Sequence, residues 1–361
     1  MRKILTFLGM PVAAILLYLL FWPVPVEPVA WNAPEDRGLV DPFEPNDRLK
    51  RARSIQLGEH EGPEDVTAGR DGLIYATSKD GYVLRIGSNG KVSRFAETGG
   101  RPLGIEADSD GSLLVANAYV GIQRVAPDGS VATVLDEFDG EPLVYADDLA
   151  IAADGTIFFS EASTKFGARE WAGTFEGSLL DILEHGGHGK IIAFNPVTGE
   201  SRLVLGGLQF ANGIAISDDQ RYLLIVETGS YRILRHWLDG PAAGSTEVIL
   251  DNLPGFPDNI NNGLNGRFWI GLVAPRSPAL DKLSARPFLR KVVQRLPAAL
   301  RPKALPSSHV IAITGNGQVL ENLQDPAARF SSLTGVYETW DSLYLTALFG
   351  DELGVLSKDD L

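Results

Sequence analysis

The chain has 361 residues with 39 glycines, 22 prolines, no cysteine and a formal net charge of −14. Without cysteine there are no disulfides, thiol nucleophiles or Cys-ligated zinc. The acidic balance repels phosphate backbones and argues against nucleic acid as a partner.

At the front, Met1-Arg2-Lys3 precedes an uncharged, mainly apolar run from Ile4 to Trp22. At about 1.5 Å rise per residue this run spans roughly 28 Å, about one bilayer core. Positive charge at its start holds that end in the cytoplasm. It reads as a transmembrane anchor (4–22) behind a cytoplasmic tip (1–3). The body then lies on the non-cytoplasmic side, periplasmic in a bacterium. The alternative is a signal peptide removed on secretion, but "PVPVEPVA" (Pro23 to Ala30) offers no clean small-residue cleavage site. Residues 23–50, rich in proline, read as an extended linker.

From residue 51 onward one phrase recurs: a turn ending in Asp-Gly or a similar pair, then a β-rich strand. It occurs at Asp71, Asp110, Asp154, Asp219, Asn265 and Asp341. A second hairpin follows most copies, as in "YVLRIGSNGKVSRF". Four strands per about 40–45 residues is the period of a β-propeller blade. Two intervals are lengthened by inserts, 163–187 and 274–308. The last copy is cut short at Leu361, and the unassigned strand "ARSIQLG" (Ala52 to Gly58) can complete it. The expected fold is all-β: a six-bladed propeller over 51–361, closed by its N-terminal strand, with two helical inserts. The alternating helices of an α/β fold are missing.

The second insert carries eight basic residues and one acid, Asp281, between Arg276 and Lys303. Leu280, Leu283, Phe288, Leu289, Val292, Val293 and Leu296 follow at roughly helical spacing. This insert reads as a lid over the channel mouth that also touches anionic lipid. The plainer alternative is a helix packed on the propeller with its charges solvated.

Seven residues before each turn stand Glu64, Leu103, Asp147, Asn212, Asp258 and Thr334. Pseudo-symmetry puts them at one level of the central channel, and four carry carboxylate or amide oxygens. The next positions are Asp65, Gly104, Asp148, Gly213, Asn259 and Gly335. Inward carboxylates cannot all stay ionised without a cation among them. Oxygen donors without Cys or His indicate Ca²⁺ rather than zinc or copper. Taken singly, each residue is also an ordinary turn former.

"GPEDV", "YADDLAI", "FANGIAIS" and "FPDNI", in this order, resemble the calcium-dependent six-bladed propellers: paraoxonases, gluconolactonases and strictosidine-synthase-like proteins. "SEASTKF", "LLDILEHGGHGKIIAFNP" and "LDKLSARPFLRKVV" are similar to the strictosidine-synthase-like branch, whose adipocyte plasma-membrane-associated members share the anchored layout. The resemblance covers about residues 55 to 361. It implies that Glu64, Asp147, Asn212, Asp258 and Asn259 hold a catalytic Ca²⁺. It also implies a second, structural Ca²⁺ held by Asp65, Asp148 and the Ile105 carbonyl, although both aspartates could equally cap local backbone. Three departures matter. Asp147 replaces the asparagine of paraoxonases and adds a charge. Leu103 stands where paraoxonases place a histidine. "RFSSLTGVYETW" offers Ser331 or Ser332 where strictosidine synthase has a glutamate, and Glu338 lies too near the strand to align. The histidines add little: His185 and His188 rim the channel or sit in a solvated loop, and the others read as structural or exposed.

The expected function is therefore a Ca²⁺-dependent hydrolase of small esters or lactones, of arylesterase or lactonase type. The ion polarises the substrate oxygen, and Asp258 acts as base or nucleophile. The alternatives are a strictosidine-synthase-like enzyme forming C–N bonds and a non-catalytic propeller stabilised by calcium.

Overall fold

In the computed structural model, which describes residues 13–361, each recurring turn closes the first hairpin of a four-stranded antiparallel sheet. Blades 1 to 5 occupy 66–97, 102–135, 146–208, 211–250 and 255–325. Blade 6 takes its first three strands from 333–357 and its outermost strand, Arg53–Gln56, from the other end of the chain. That strand pairs antiparallel with Glu352–Ser357, from Arg53 opposite Val355 to Gln56 opposite Glu352. Innermost strands pack on their neighbours in chain order, and the sixth meets the first. The ring is closed as the sequence requires.

Blade interiors explain the unbroken apolar runs. Leu223, Leu224, Ile225 and Val226 are all fully buried, because a middle strand presents one face to each neighbouring blade. Trp269 of blade 5 packs in the same way against Leu333 and Leu345 of blade 6.

A helix, α1, is described over 13–21 and is apolar and exposed, with Phe21 72% accessible. Among the described residues no helix is long and apolar enough to cross a membrane. The first nine residues of the expected anchor, 4–12, lie outside the described part. The segment after α1 is extended, as its prolines suggest, yet it is packed down rather than free. Val26 is fully buried, Val29 N donates to Glu184 O at 2.8 Å, and Trp31 stacks on His185 at 4.0 Å.

The first insert forms α2 (Thr174–Glu184); the second forms α3 (Pro278–Leu283) and α4 (Pro287–Arg295). Strand register fixes their location. Ala146 pairs with Glu161 and Gly255 with Pro275, so both inserts leave from the face where the inner strands begin. Helix α2 starts from blade 3 and reaches the opposite blade, where Phe175 meets Phe349 edge-on at 5.4 Å. Tyr145 Oη anchors it by donating to Thr174 O at 2.7 Å. The helix spanning the channel mouth is thus the first insert. This corrects the expectation that the second insert is the lid: α4 instead braces α2 from the side, with Arg290 donating to Leu183 O at 2.8 Å. Composition revealed the amphipathic segment but carried no information about which blades it bridges.

The joining strand itself is exposed apart from half-buried Ile55, and the apolar seal at the closure lies beside it, at buried Leu57 and Leu353. Leu353, fully buried between Leu57 and Leu84, makes the test. Leu353→Ala should cost about 2–5 kcal/mol, as core leucine truncations do, read as a lower midpoint in urea unfolding.

Candidate functional site

Of the six channel positions, Glu64 lies two residues before an innermost strand, Leu103, Asp147, Asn212 and Thr334 are second in theirs, and Asp258 is fourth. The five expected oxygen donors are buried together: Glu64 and Asp147 are 3% accessible, Asn212 4%, Asp258 7% and Asn259 0%. Asn212 Nδ2 donates to Asp258 Oδ1 at 2.6 Å, joining blades 4 and 5. Asn259 Nδ2 donates to Glu64 O at 3.1 Å, joining blades 5 and 1 across blade 6. Thr334 Oγ1, from blade 6, donates to the same carbonyl at 2.6 Å. Leu103, blade 2's occupant of the ring, supplies no oxygen.

These hydrogen bonds use the amide nitrogens and leave the oxygens. Glu64 Oε2, Asn212 Oδ1 and Asn259 Oδ1 are all buried without a partner. Leaving one buried acceptor unsatisfied costs about 1–3 kcal/mol, and native proteins tolerate few. Three in one channel, all among the residues singled out from the sequence, suit an electropositive guest bound through oxygen. No three His, Cys, Asp or Glu side chains among the described residues converge as a metal cluster by themselves. The amide oxygens are needed to complete the set, and an oxygen-only set of carboxylates and amides fits a hard cation such as Ca²⁺.

Charge makes the same demand. Burial, then Asp258 and Asp65, push the Glu64 carboxyl well above its usual range. Burial, then Glu64 and Asp258, do the same to Asp147. Burial raises Asp258 to about 7, opposed by the Asn212 amide and Arg101. Arg101, 3% accessible, is a member of the site that sequence reasoning missed. It precedes the blade 2 strand by one residue, at a position the seven-residue count does not sample.

Asp65 and Asp148 have a different role. Asp65 Oδ2 accepts from Ile105 N at 3.0 Å and its Oδ1 from Asn261 Nδ2 at 2.9 Å. Asp148 Oδ2 accepts from Ile214 N at 2.9 Å and its Oδ1 from Leu149 N at 2.8 Å. Asn261 Oδ1 likewise accepts from Val336 N at 3.3 Å. In each clasp an oxygen from an odd-numbered blade takes the N–H freed by a bulge in the next, even-numbered blade. Glycine alternates with the acids for this reason. A Cβ on Gly104 would strike Asp148 Oδ1, and one on Gly335 would lie 2.9 Å from Asn261 Oδ1. The Ile105 group facing Asp65 is its N–H, so the geometry here supports backbone capping rather than the second-ion arrangement. Below the clasps a cavity of about 220 Å³, lined by Asp65, Glu106, Asp148 and Asn261, opens toward the face without inserts.

The remaining candidates are engaged elsewhere. Glu338 accepts from Trp269 Nε1 and Leu264 N, both at 2.9 Å, and pairs with Lys358 at 2.5 Å. His188 contacts Glu184 at 2.7 Å, His309 contacts Asn322 at 2.9 Å, and His60 contacts Asp80 at 2.7 Å. His185 is buried in the left-handed C-cap of α2. Above the oxygen ring, Leu103, Tyr145, Phe210 and Ile182 of α2 form an apolar layer between site and lid.

Comparison with known proteins agrees with this construction. The family profile for strictosidine synthase matches residues 147–241, and that for the strictosidine synthase-like N-terminal region matches 41–86. The adipocyte plasma membrane-associated protein of Bos taurus is 30% identical over 94% of this chain and 85% of its own length. The strictosidine synthase-like protein 6 of Arabidopsis thaliana is 32% identical over 83% and 80%. Among solved structures, a gluconolactonase from Xanthomonas campestris aligns with TM-score 0.63 at 17% identity, covering 85% of this chain and 89% of its own. A calcium-binding regucalcin from Agrobacterium tumefaciens aligns with TM-score 0.57 at 13% identity, covering 84% and 93%. At such identities the structures show the fold alone. The chain belongs to the strictosidine synthase-like family of six-bladed propellers.

The raised carboxyls give a pH test. An acid whose folded value lies above its unfolded one favours the fold below the unfolded value and loses that contribution as pH rises toward the folded value. For Asp258 the window runs from 3.8 to about 7. Chelator-treated protein should therefore lose melting temperature across that window. Added Ca²⁺ should remove most of the loss at pH 7, and Glu64→Gln should flatten the chelated profile, measured by scanning calorimetry.

Proposed function

We propose that the chain is a Ca²⁺-dependent hydrolase of small esters or lactones, with the ion held by Glu64, Asp147, Asn212, Asp258 and Asn259. The observation carrying this reading is the trio of partnerless buried oxygens on Glu64, Asn212 and Asn259. Bound there, Ca²⁺ would polarise a carbonyl oxygen and stabilise the negative charge that develops on it. Asp258 is the most accessible of the three carboxylates, and its Oδ1 is fixed by the Asn212 amide. That suits it to take a proton from water or to attack directly. The layer of Leu103, Tyr145, Phe210 and Ile182 suits an apolar acyl or aryl group held beside the reacting carbonyl. The printed names of the structural neighbours, a gluconolactonase and a calcium-binding regucalcin, favour the same chemistry. Amine–aldehyde condensation is the less favoured reading, because the last-blade glutamate at hand, Glu338, is already committed to Trp269 and Lys358.

We also propose that the insert face rests on an anionic membrane surface. Helix α4 is inverted: it buries Arg290 and Arg295 and exposes Phe288 (51%) and Leu289 (37%). Arg295 holds the last carbonyls of α1, donating to Leu19 O at 3.0 Å, so the two apolar surfaces adjoin. Exposed Lys282, Arg286 and Lys303 supply positive charge beside them in a chain of net −14. The relative named as plasma membrane-associated suits this placement.

Two measurements test these readings. Across a panel of lactones and aryl esters, chelator and Asp258→Asn should each lower turnover by about 10²–10⁴-fold, the range for losing a positioned acid–base group. Absence of turnover with Ca²⁺ present would leave the non-catalytic reading in its place. In vesicle sedimentation, Phe288→Ser with Leu289→Ser should reduce binding to anionic vesicles at least about tenfold, given about 1.5–3 kcal/mol per buried apolar side chain. Equal binding of the double variant would remove the membrane placement.

A further inference from the structure

Helix α2 is held firmly at one end and lightly at the other. At its C-terminal end Lys165 Nζ donates to both Glu184 carboxylate oxygens, at 2.7 and 2.8 Å. His188 Nε2 contacts the same carboxylate at 2.7 Å, and Glu27 N donates to it at 2.7 Å. Glu184 O accepts from Val29 N and Leu183 O from Arg290 Nη1, both at 2.8 Å. Such donors suit the negative end of the helix dipole. Leu180 and Leu183 pack there with Val26, Phe166 and Trp171.

The N-terminal end is tied differently. Gly173, at the N-cap, supplies no side-chain cap, so the first N–H groups lack their usual acceptor. Tyr145 Oη donates to Thr174 O at 2.7 Å, and the Phe175 ring meets Phe349 edge-on at 5.4 Å. Phe349 is 44% accessible. Two glycines bracket this turn. Gly173 has a φ of 145°, and a Cβ on Gly177 would lie 2.8 Å from Phe166 O. Gly177-Ser178 is the kind of pair at which helices bend, and Ser178 Oγ already donates to Phe175 O at 2.8 Å. The lightly held unit is therefore the turn Thr174-Phe175-Glu176. The insert leans on blade 2 through Arg169, 5.6 Å from the Tyr119 ring, and on blade 6 through Phe175. Between these supports lies the rim of blade 1, where exposed Glu61 and Lys79 pair with each other at 2.9 Å.

We propose that this turn is the gate of the channel, with Phe175 and Phe349 as its two leaves. Compounds enter over the rim of blade 1 when the turn lifts from blade 6, while the clamped end of α2 stays in place. Opening breaks the Tyr145–Thr174 hydrogen bond and the aromatic contact, and it uncovers the apolar layer of Leu103 and Tyr145 beneath. One consequence rests on the proposed function: the two rings set the largest ester or lactone admitted.

The test exploits the absence of cysteine. In the full chain, Leu103→Cys places a lone thiol beneath the gate, at a position 2% accessible. Its alkylation by iodoacetamide reports opening and needs neither turnover nor metal. Added to this background, Phe349→Ala should speed alkylation about two- to tenfold, the range for losing one aromatic pair. Tyr145→Phe should do about the same for one hydrogen bond. Lys165→Met loosens the clamped end and should leave the rate within about twofold, the scatter of an uninvolved site. A bulky maleimide dye should gain more than iodoacetamide from Phe349→Ala. Unchanged rates in both gate variants, or a larger gain in Lys165→Met than in Phe349→Ala, would overturn the gate. Equal gains for the two reagents would overturn the size limit set by the rings. Should Leu103→Cys not fold, amide hydrogen exchange on the chain without it decides. Faster exchange in 174–177 than in 180–184, further accelerated by Phe349→Ala, supports the gate, and the reverse order overturns it. A working gate without ester or lactone turnover would set aside the hydrolase reading alone.

Discussion

Three carboxylates, Glu64, Asp147 and Asp258, share the buried upper level of one channel with the Arg101 guanidinium, and much of the architecture can be understood as the means of keeping them there. Like charges taken from water repel strongly and lose their hydration, so an isolated chain would not gather them. The propeller does so because each blade contributes only one or two polar groups at the start of its inner strand, while the stabilising apolar area lies between blades. Blade-to-blade packing of residues such as Trp269, Leu333 and Leu345 can offset a local excess of charge without sharing atoms with it. Closure matters for the same reason. With Arg53–Gln56 completing blade 6, the channel positions are held by a continuous ring and cannot spread apart.

The channel is layered by function. The upper ring, Glu64 to Asn259, spends its amide nitrogens on neighbouring blades and keeps acceptor oxygens free. The lower level, Asp65, Asp148 and Asn261, spends its oxygens on the N–H groups freed by bulges. Adjacent residues such as Glu64 and Asp65, or Asp147 and Asp148, thus have opposite roles. Irregular backbone separates them: Glu64 and Asp65 precede the blade 1 strand, and Asp147 and Asp148 sit in the bulge between Ala146 and Leu149. Above both, α2 crosses from blade 3 to blade 6, braced by α4 and by the extended segment around Val26 to Trp31. The apolar layer beneath it isolates the oxygen ring from solvent.

The blades were legible because an Asp-Gly turn followed by a β-branched strand is a local signal repeated at a fixed spacing. The upper ring was legible for the same reason: a constant offset from a recurring turn samples one position in each blade. Arg101 and Asn261 escaped because they lie off that offset and gain their meaning only across blades. The alternation of Gly104, Gly213 and Gly335 with Asp65, Asp148 and Asn259 was visible, but its cause was not. Bulges depend on pairing register, which single-strand patterns do not record. The lid was assigned to the wrong insert for a related reason. Amphipathic spacing in 274–308 identifies a helix with two unlike faces, whereas α4 turns its arginines inward and Phe288 outward, the reverse of the usual reading. The seemingly free linker is extended as its prolines dictate, but the side chains that pin it, such as Glu184 and Arg290, lie far away in sequence.

The most direct measurement is a crystal of the full chain soaked in Tb³⁺ and read by anomalous scattering. A single strong peak within coordination distance of Glu64 Oε2, Asn212 Oδ1 and Asn259 Oδ1 is the predicted result. A peak between Asp65 and Asp148 with none at the upper ring, or no peak in the channel, would contradict the assignment of those buried oxygens to a cation.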